Sequence, residues 1–479
     1  MNFWQKINQW WLWLTIFAIP FSVRKVIAPV FHQGVFVDYA STSLFLSDLL
    51  IGGLLLLWAM DFKRTGRFNW GPKCLTLPLL LLAGWMCLSL VWAKPDVWMG
   101  VQAALRFLLY VGFYFYLINR VADIKALLYP LMAGMVVQSG LAIAQYFTNH
   151  SLGLKWLGES VLDPIQSGIP VVLIDGARQL RAHGTLPHAN VLGGYLVMGL
   201  AMMWPLLFDR GRLINRLSWW WVAGIGLIGL ILSLSRSAGA ALIGGGLVVL
   251  IWLALKHSAR LRQSLRIGWP IILAVVIVAL TQWQAVVPRW SADSNLIEQI
   301  SVRSRQEQWQ EFKKVYANYS VTGTGIGQYF LNIWQPAGRA LLPGGQLPGN
   351  PVGTGQADSW QYRSDLGGWS YSTDRSLNYY QPVHNIYLLA LAELGPVGLG
   401  LLMWILGAAA YLAVRLGRRG RLWGVAGLWA TVTIAVIGLV DHYWWTLPSG
   451  RLMFMLGLSL VGVLWVNSDY NGKYGRTES

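Results

Sequence analysis

His384-Asn385-Ile386-Tyr387-Leu388-Leu389-Ala390-Leu391-Ala392-Glu393-Leu394-Gly395-Pro396 follows a long polar segment, Val286 to Val383, in a chain that is otherwise largely apolar. Gly395-Pro396 divides the apolar run from His384 to Val414, and the part after Pro396 is alone about long enough to cross a hydrocarbon core of about 30 Å. His384 to Leu394 is left as a separate helix, about 16 Å long and expected at the outer interface. His384 opens it, where free N–H groups and the positive end of the dipole favour an anion. A polar loop that delivers a histidine to the rim of a membrane helix points to chemistry at the membrane surface.

Working outward, 55% hydrophobic and only 12% charged residues exclude a soluble multidomain protein. About twelve apolar runs are long enough to span: 8–23, 41–60, 74–93, 97–119, 124–147, 189–208, 217–235, 238–256, 267–286, 396–414, 422–441 and 450–467. The first has no small-residue cleavage site and is followed by Arg24-Lys25, so it reads as a retained helix. Lys and Arg crowd alternate short connections: Lys63, Arg64, Arg67 and Lys73; Arg120 and Lys125; Arg210, Arg212 and Arg216; Lys256, Arg260, Arg262 and Arg266; Arg415, Arg418, Arg419 and Arg421. Such connections stay cytoplasmic. Both termini are then inside, and 24–40, 148–188, 286–383 and 442–449 are outside. The expected organisation is nine membrane helices in 1–285, an extracytoplasmic loop domain with amphipathic helices in 286–395, and three further helices with a short cytoplasmic tail in 396–479. The net charge of +17 sits mostly in the inside connections as a topogenic signal, and no nucleic-acid module accompanies it.

Six of the seven histidines, His32, His150, His183, His188, His384 and His442, map outside, which concentrates proton-transfer capacity there; only His257 maps inside. Trp10-Trp11-Trp13, Trp219-Trp220-Trp221 and Trp444-Trp445 fall near span ends, where indole rings suit the headgroup region. Cys74 and Cys87 belong to one predicted span and offer neither a disulfide framework nor a zinc cluster.

Asn295 to Asn318 reads as an amphipathic helix with Ile297, Ile300, Trp309, Phe312 and Tyr316 on one stripe, and Arg305 shares a face with Trp309. Gly323-Thr324-Gly325-Ile326-Gly327 lacks the Lys-Ser/Thr of a phosphate-binding loop and reads as a site of close backbone packing. Pro336 to Val383 has no sustained period; its Trp360, Tyr362, Trp369, Tyr371, Tyr379 and Tyr380 either stack on sugars or hold the loop together. Arg236 lies at an outer turn among small and apolar neighbours, with no acid nearby in sequence, which favours an anionic ligand. Arg106, inside the fourth span, is either functional or bonded to internal carbonyls. Asp441, before His442, either orients a base or caps a helix. No Asp-x-Asp or His-Glu-x-x-His occurs, so neither the metal-diphosphate clamp of nucleotide-sugar transferases nor a zinc protease site is encoded. Several outer Arg and His residues remain, suited to a diphosphate without a metal.

From Arg181 onward the chain resembles the O-antigen ligase and polymerase family of bacterial envelope enzymes. The resemblance rests on Arg181-Ala182-His183-Gly184-Thr185-Leu186-Pro187-His188-Ala189-Asn190 through Gly193-Gly194, on Ser235-Arg236-Ser237-Ala238, on Arg305 with Trp309, on Gly323-x-Gly325-x-Gly327, and on His384-Asn385 with Leu388, Glu393 and Gly395. It implies an all-α, GT-C-like integral membrane protein of the bacterial inner membrane with its active site outside. It also implies transfer of a glycan from an undecaprenyl-diphosphate carrier to a hydroxyl of a glycan, lipid-anchored or protein acceptor, by inverting displacement, with no metal or cofactor. Arg236, Arg305 and His384 match the family's essential residues. Arg303, Asp441, Arg181 and Asn385 are candidate substrate-binding residues, and Arg106 joins them on its own position. Ligase, polymerase and protein O-glycosyltransferase share these motifs. The competing class, a transporter or lipid-linked oligosaccharide flippase, predicts internal repeats that the sequence lacks.

Overall fold

The computed structural model describes residues 3–32, 35–36, 38–65, 68–166, 169–174, 176–208, 213–256, 258–286, 296–334, 360–363, 368–371 and 382–474. Arg67, Arg210, Arg212, His257, Tyr379, Tyr380 and most of the segment from Pro336 lie outside them, as do the side chains of Ile297, Ile300, Trp360, Tyr362, Trp369 and Tyr371.

The chain is mostly helical: α1 (Phe3–Phe17), α2 (Leu46–Thr65), α3 (Lys73–Ser89), α4 (Val97–Arg120), α5 (Lys125–Thr148), α6 (Ala189–Met203), α7 (Leu213–Ser233), α8 (Arg236–Lys256), α9 (Ser258–Thr281), α10 (Trp283–Val286), α11 (Leu296–Asn318), α12 (Tyr329–Trp334), α13 (Ile386–Arg418), α14 (Leu422–Gly438), α15 (Tyr443–Thr446) and α16 (Pro448–Tyr474). Each of the twelve apolar runs holds a helix, and among the described residues seven helices are long and apolar enough to cross a membrane: α4, α5, α6 with the turn after it, α7, α8, α13 and α16. Short antiparallel ribbons interrupt the connections, among them Arg24–Ala28 with Thr42–Phe45 and Val171–Ile174 with Ala177–Leu180. The expectation of a purely helical chain is corrected to that extent. These strands are too short to form a core of their own.

Position within the bundle follows from which faces are apolar. Every residue of α6 except Asn190 is buried, as expected of a helix that is apolar all round, and most of α16 is buried with it. By contrast α8 exposes Ile243, Leu247, Ile251 and Leu255, and α9 exposes Leu273, Ile277 and Leu280, so these two form an apolar edge of the bundle. Trp444 and Trp445, expected at a headgroup belt, are buried instead, because α15 tucks under the start of α16.

The break at Gly395-Pro396 divides α13, and Gly395 adopts φ 66°, ψ −170°. Pro396 has no N–H to give the carbonyl of Ala392, and the turn restarts the ladder, so two carbonyls lose their helical donors. The segment Gly323–Gly327 supplies replacements: Thr324 N donates to Ala392 O at 2.9 Å and Gly325 N to Glu393 O at 2.8 Å. Trp85 Nε1 donates to Leu394 O at 2.8 Å. The Glu393 carboxylate accepts Trp445 Nε1 at 2.9 Å. Gly323 (φ 72°) touches the Glu393 carbonyl so closely that a Cβ would overlap it, and a Cβ on Gly395 would overlap the Val321 carbonyl. Close backbone packing is therefore what this glycine motif does. The helix Ile386–Leu394 is packed within the protein, with Ile386, Leu389, Ala390, Ala392 and Leu394 all buried.

Replacing Gly323 by Ala puts a side chain in a left-handed conformation, at about 1–2 kcal/mol, before any overlap is counted. Gly420 also has positive φ (77°) but open space around its Cα. In detergent, Gly323→Ala is expected to unfold several degrees below Gly420→Ala; equal midpoints would contradict the docking of this turn on α13.

Candidate active site

Asn385 caps α13, its Oδ1 accepting the N–H groups of Tyr387 (2.9 Å) and Leu388 (3.0 Å) while its Nδ2 donates to Leu439 O (2.9 Å). This cap consumes the side chain that the sequence offered for substrate binding, and it fixes the residue before it. His384 Nδ1 lies 2.7 Å from Gln308 Oε1, and the His384 backbone N–H points to the same oxygen at 3.4 Å. An acceptor shared with a backbone N–H must be the carbonyl end of the amide, so Nδ1 carries the proton and Nε2 keeps its lone pair. The Gln308 side chain is buried on α11, three residues after Arg305.

A second histidine stands against the first. The rings of His384 and His442 are 4.8 Å apart, edge to face. His442 Nδ1 is 2.7 Å from Thr446 Oγ1, whose hydroxyl donates to His442 O at 3.2 Å, so His442 also holds its proton on Nδ1. Asp441 is buried, with Oδ1 accepting His442 N and Oδ2 accepting Asn190 Nδ2, each at 2.9 Å. Asn190 Oδ1 in turn accepts from Arg181 at 2.6 Å, and Arg181 Nε donates to Ser233 O at 3.1 Å. A continuous polar chain therefore runs from the α14–α15 link to the α7–α8 turn, where Arg236 starts α8. Gly193 lets α6 lie against that turn, because a Cβ there would overlap Ser235 and Ala238. In the turn Leu234 is held at φ 49°, a conformation that a non-glycine residue adopts at a cost.

Burial keeps the imidazoles neutral. It pushes His442 down to about 3, with His384 adding to the shift and Asp441 opposing it. His183 falls to about 3 for the same reason, with Arg181 adding to it, and both its ring nitrogens are buried without a hydrogen-bond partner among the described residues. His188 is also driven far down, by burial and then by the charges of Arg181, His183, His384 and His442; its Nδ1 accepts Asn190 N at 3.0 Å as the cap of α6. His384 is lowered by burial and by the positive charge of Arg305, against the pull of Asp441. That electrostatic link places the exposed Arg305 on the histidine side of the site.

Arg236 lines a separate cleft of about 340 Å³ at the apolar edge, with Leu230, Leu242, Val275 and Trp283 among its walls. His384 is not among its lining residues. The structure thus gathers His384, Asp441, Arg181 and Arg305, and joins Arg236 to them through Arg181 and Ser233. It does not bring Arg303 or Arg106 into the group. Arg303 is exposed and paired with Glu307 at 3.1 Å; Arg106 binds Asp48 at 3.0 Å and Ser43 O at 2.7 Å, with Tyr110 on the other Asp48 oxygen at 2.7 Å. One ligand atom from each of His384, Asp441 and His442 lies within 4.8 Å of the others, a donor set that can hold a divalent cation. Gln308 escaped the sequence reading, although a polar residue four before Phe312 and seven before Val315, both buried, was the available signal. Trp309, expected on the buried stripe, is exposed and stacks on Phe312 at 5.5 Å.

Compared with known proteins, the chain matches none of the curated sequences. Residues 221–403 match the family model described as O-antigen ligase, a stretch that contains Arg236, Arg305, Gln308 and His384. Over that stretch the chain is similar to the O-antigen ligase family.

Proposed function

We propose that this protein transfers a glycan from an undecaprenyl-diphosphate carrier to an acceptor hydroxyl at the outer face of the bacterial inner membrane, as a ligase or polymerase of surface polysaccharide. The match of residues 221–403 to the O-antigen ligase model supports glycan transfer in surface-polysaccharide assembly. The observation that carries the finer reading is an unprotonated His384 Nε2 on which the charge of Arg305 acts, with Arg236, three residues after the Ser233 that ends the polar relay, lining an apolar cleft. A prenyl chain suits the cleft, and its diphosphate suits the arginines. We place the site outside, with twelve spans, both termini cytoplasmic and 286–395 as the outer segment. The clustering of Lys and Arg in the alternate connections supports this orientation.

In the reaction the acceptor hydroxyl gives its proton to His384 Nε2 as its oxygen attacks the anomeric carbon. The bond from that carbon to the diphosphate breaks with inversion, and the electron pair leaves with the carrier. Arg236 and Arg305 stabilise the charge that develops there, the kind of preorganised electrostatics that dominates many enzymes. Gln308 holds the imidazole in the tautomer that presents a lone pair. The bond to Gln308 favours a base over a diphosphate ligand as the role of His384, since a ligand would need Nε2 protonated.

With purified protein, carrier-linked glycan and acceptor, His384→Ala is expected to lower transfer about 10²–10⁴-fold. Arg236→Ala is expected to lower it about 10²–10³-fold. Full product from both variants, correctly folded, would end this mechanism.

The pH dependence follows from the lowered proton affinity of His384. The base form is complete at neutral pH and is lost only as pH falls through a value below the ordinary 6.5. Transfer should therefore be flat around neutrality with an acid limb below 6.5, and Arg305→Gln, which removes the opposing positive charge, should move that limb upward. An acid limb above 6.5 in the parent protein would contradict the assignment.

Transfer should also persist in excess EDTA. Loss of activity that Zn²⁺ or Mn²⁺ restores would instead make His384, Asp441 and His442 metal ligands.

A further inference from the structure

A second cleft, of about 420 Å³, opens beside the histidine cluster. Its walls come from the segment after α1, from the turn Lys155–Leu157 with its flanks, and from the start of α16. Three separate stretches of chain tie it to the cluster, each with one residue in the cleft and the next in the site. Asp38 lines the cleft and Tyr39 sets its ring 5.5 Å from His442. Pro187 lines it and His188 caps α6. Leu447 lines it and Thr446 holds His442 Nδ1.

The lining mixes polar and apolar side chains and is fixed in place. The Glu159 carboxylate is buried and fully used, accepting Gln145 Nε2 (2.7 Å), Leu152 N (2.7 Å) and Leu154 N (2.6 Å), which shapes the turn that carries Lys155 and Trp156. Gly158 brings this turn onto the backbone of Ser22 and Val23, with no room for a Cβ. Arg24 is ion-paired with Asp38 and lies over Phe45. The Lys155 ammonium has no ion pair or hydrogen bond among the described residues, and Trp156 is 71% exposed beside it. An indole face next to an unpaired ammonium suits a sugar ring that carries an anionic group.

We propose that this cleft is the acceptor subsite, taking a saccharide with a phosphate or carboxylate substituent, stacked on Trp156 and anchored by Lys155. The inference rests on the glycan-transfer reading for its role, but its binding is separable from turnover. All the lining residues fall outside 221–403, the stretch that matches the family model, and Arg236, Arg305 and His384 fall within it. Acceptor choice is thereby encoded apart from donor chemistry.

The test measures binding of the purified full chain to a phosphorylated lipid A–core saccharide without long chains, in detergent, and separately to phosphatidylglycerol vesicles. Trp156→Ala and Lys155→Ala are each expected to weaken saccharide binding about 5–10-fold, as loss of about 1 kcal/mol implies, while Arg236→Ala leaves it intact. Binding unchanged in both variants, or absent in the parent protein, overturns the proposal. So does a loss confined to the vesicles, which would make Trp156 a membrane anchor. Where the parent binds the saccharide in the expected pattern but transfers no glycan, the subsite stands and the catalytic reading fails.

Discussion

One polar relay holds the site together: Ser233 O to Arg181, Arg181 to Asn190, Asn190 to Asp441, and Asp441 to the backbone of His442. Arg181 and Asp441 are both buried, and the Asn190 amide bridges them, accepting from the cation and donating to the anion. A buried charge without partners costs several kcal/mol, so each link depends on the next. Asn190 is also the one unburied residue in the first turns of α6, the helix at the centre of the bundle. The relay thus anchors the α7–α8 turn and the α14–α15 link to an almost wholly buried helix.

Much of this frame could be read from residue order. Apolar periods located the helices, because a run of about twenty apolar residues has few other uses. Gly395-Pro396 announced a break, since proline removes a donor whatever its surroundings. Arg181, Asn190 and Asp441 all lay in stretches that the sequence singled out, yet their mutual bonds did not, since Asn190 and Asp441 are 251 positions apart. The same holds for Arg106, whose partner Asp48 sits on another helix 58 residues earlier. Periodicity gives the face on which a side chain lies and says nothing of what faces it. Trp444-Trp445 illustrates the converse: their interfacial composition was plain, but α15 folds under the start of α16 and buries both, with Trp445 bonded to Glu393.

The candidate site and its framework are also distributed unevenly along the chain. The stretch 221–403 carries Arg236, Arg305, Gln308 and His384. Arg181, Asn190, Asp441 and His442, which position them, lie on either side of it. A framework of buried, mutually dependent polar groups tolerates little change, whereas a solvent-lined cleft tolerates much. Placing the cleft walls on the N-terminal connections and the start of α16 lets specificity vary without disturbing the relay.

The choice of Gln308 as partner of His384 is itself a physical constraint. A carboxylate in that position would hold the same tautomer, but it would raise the proton affinity of the imidazole and cancel part of the field of Arg305 one turn away on α11. A neutral amide orients the ring without either effect. Asp441 is near enough to oppose the lowering of His384, but its oxygens are committed to Asn190 and to the His442 backbone. One helix, α11, therefore both aims the imidazole through Gln308 and depresses its proton affinity through Arg305, and this keeps a free base beside a concentration of positive charge.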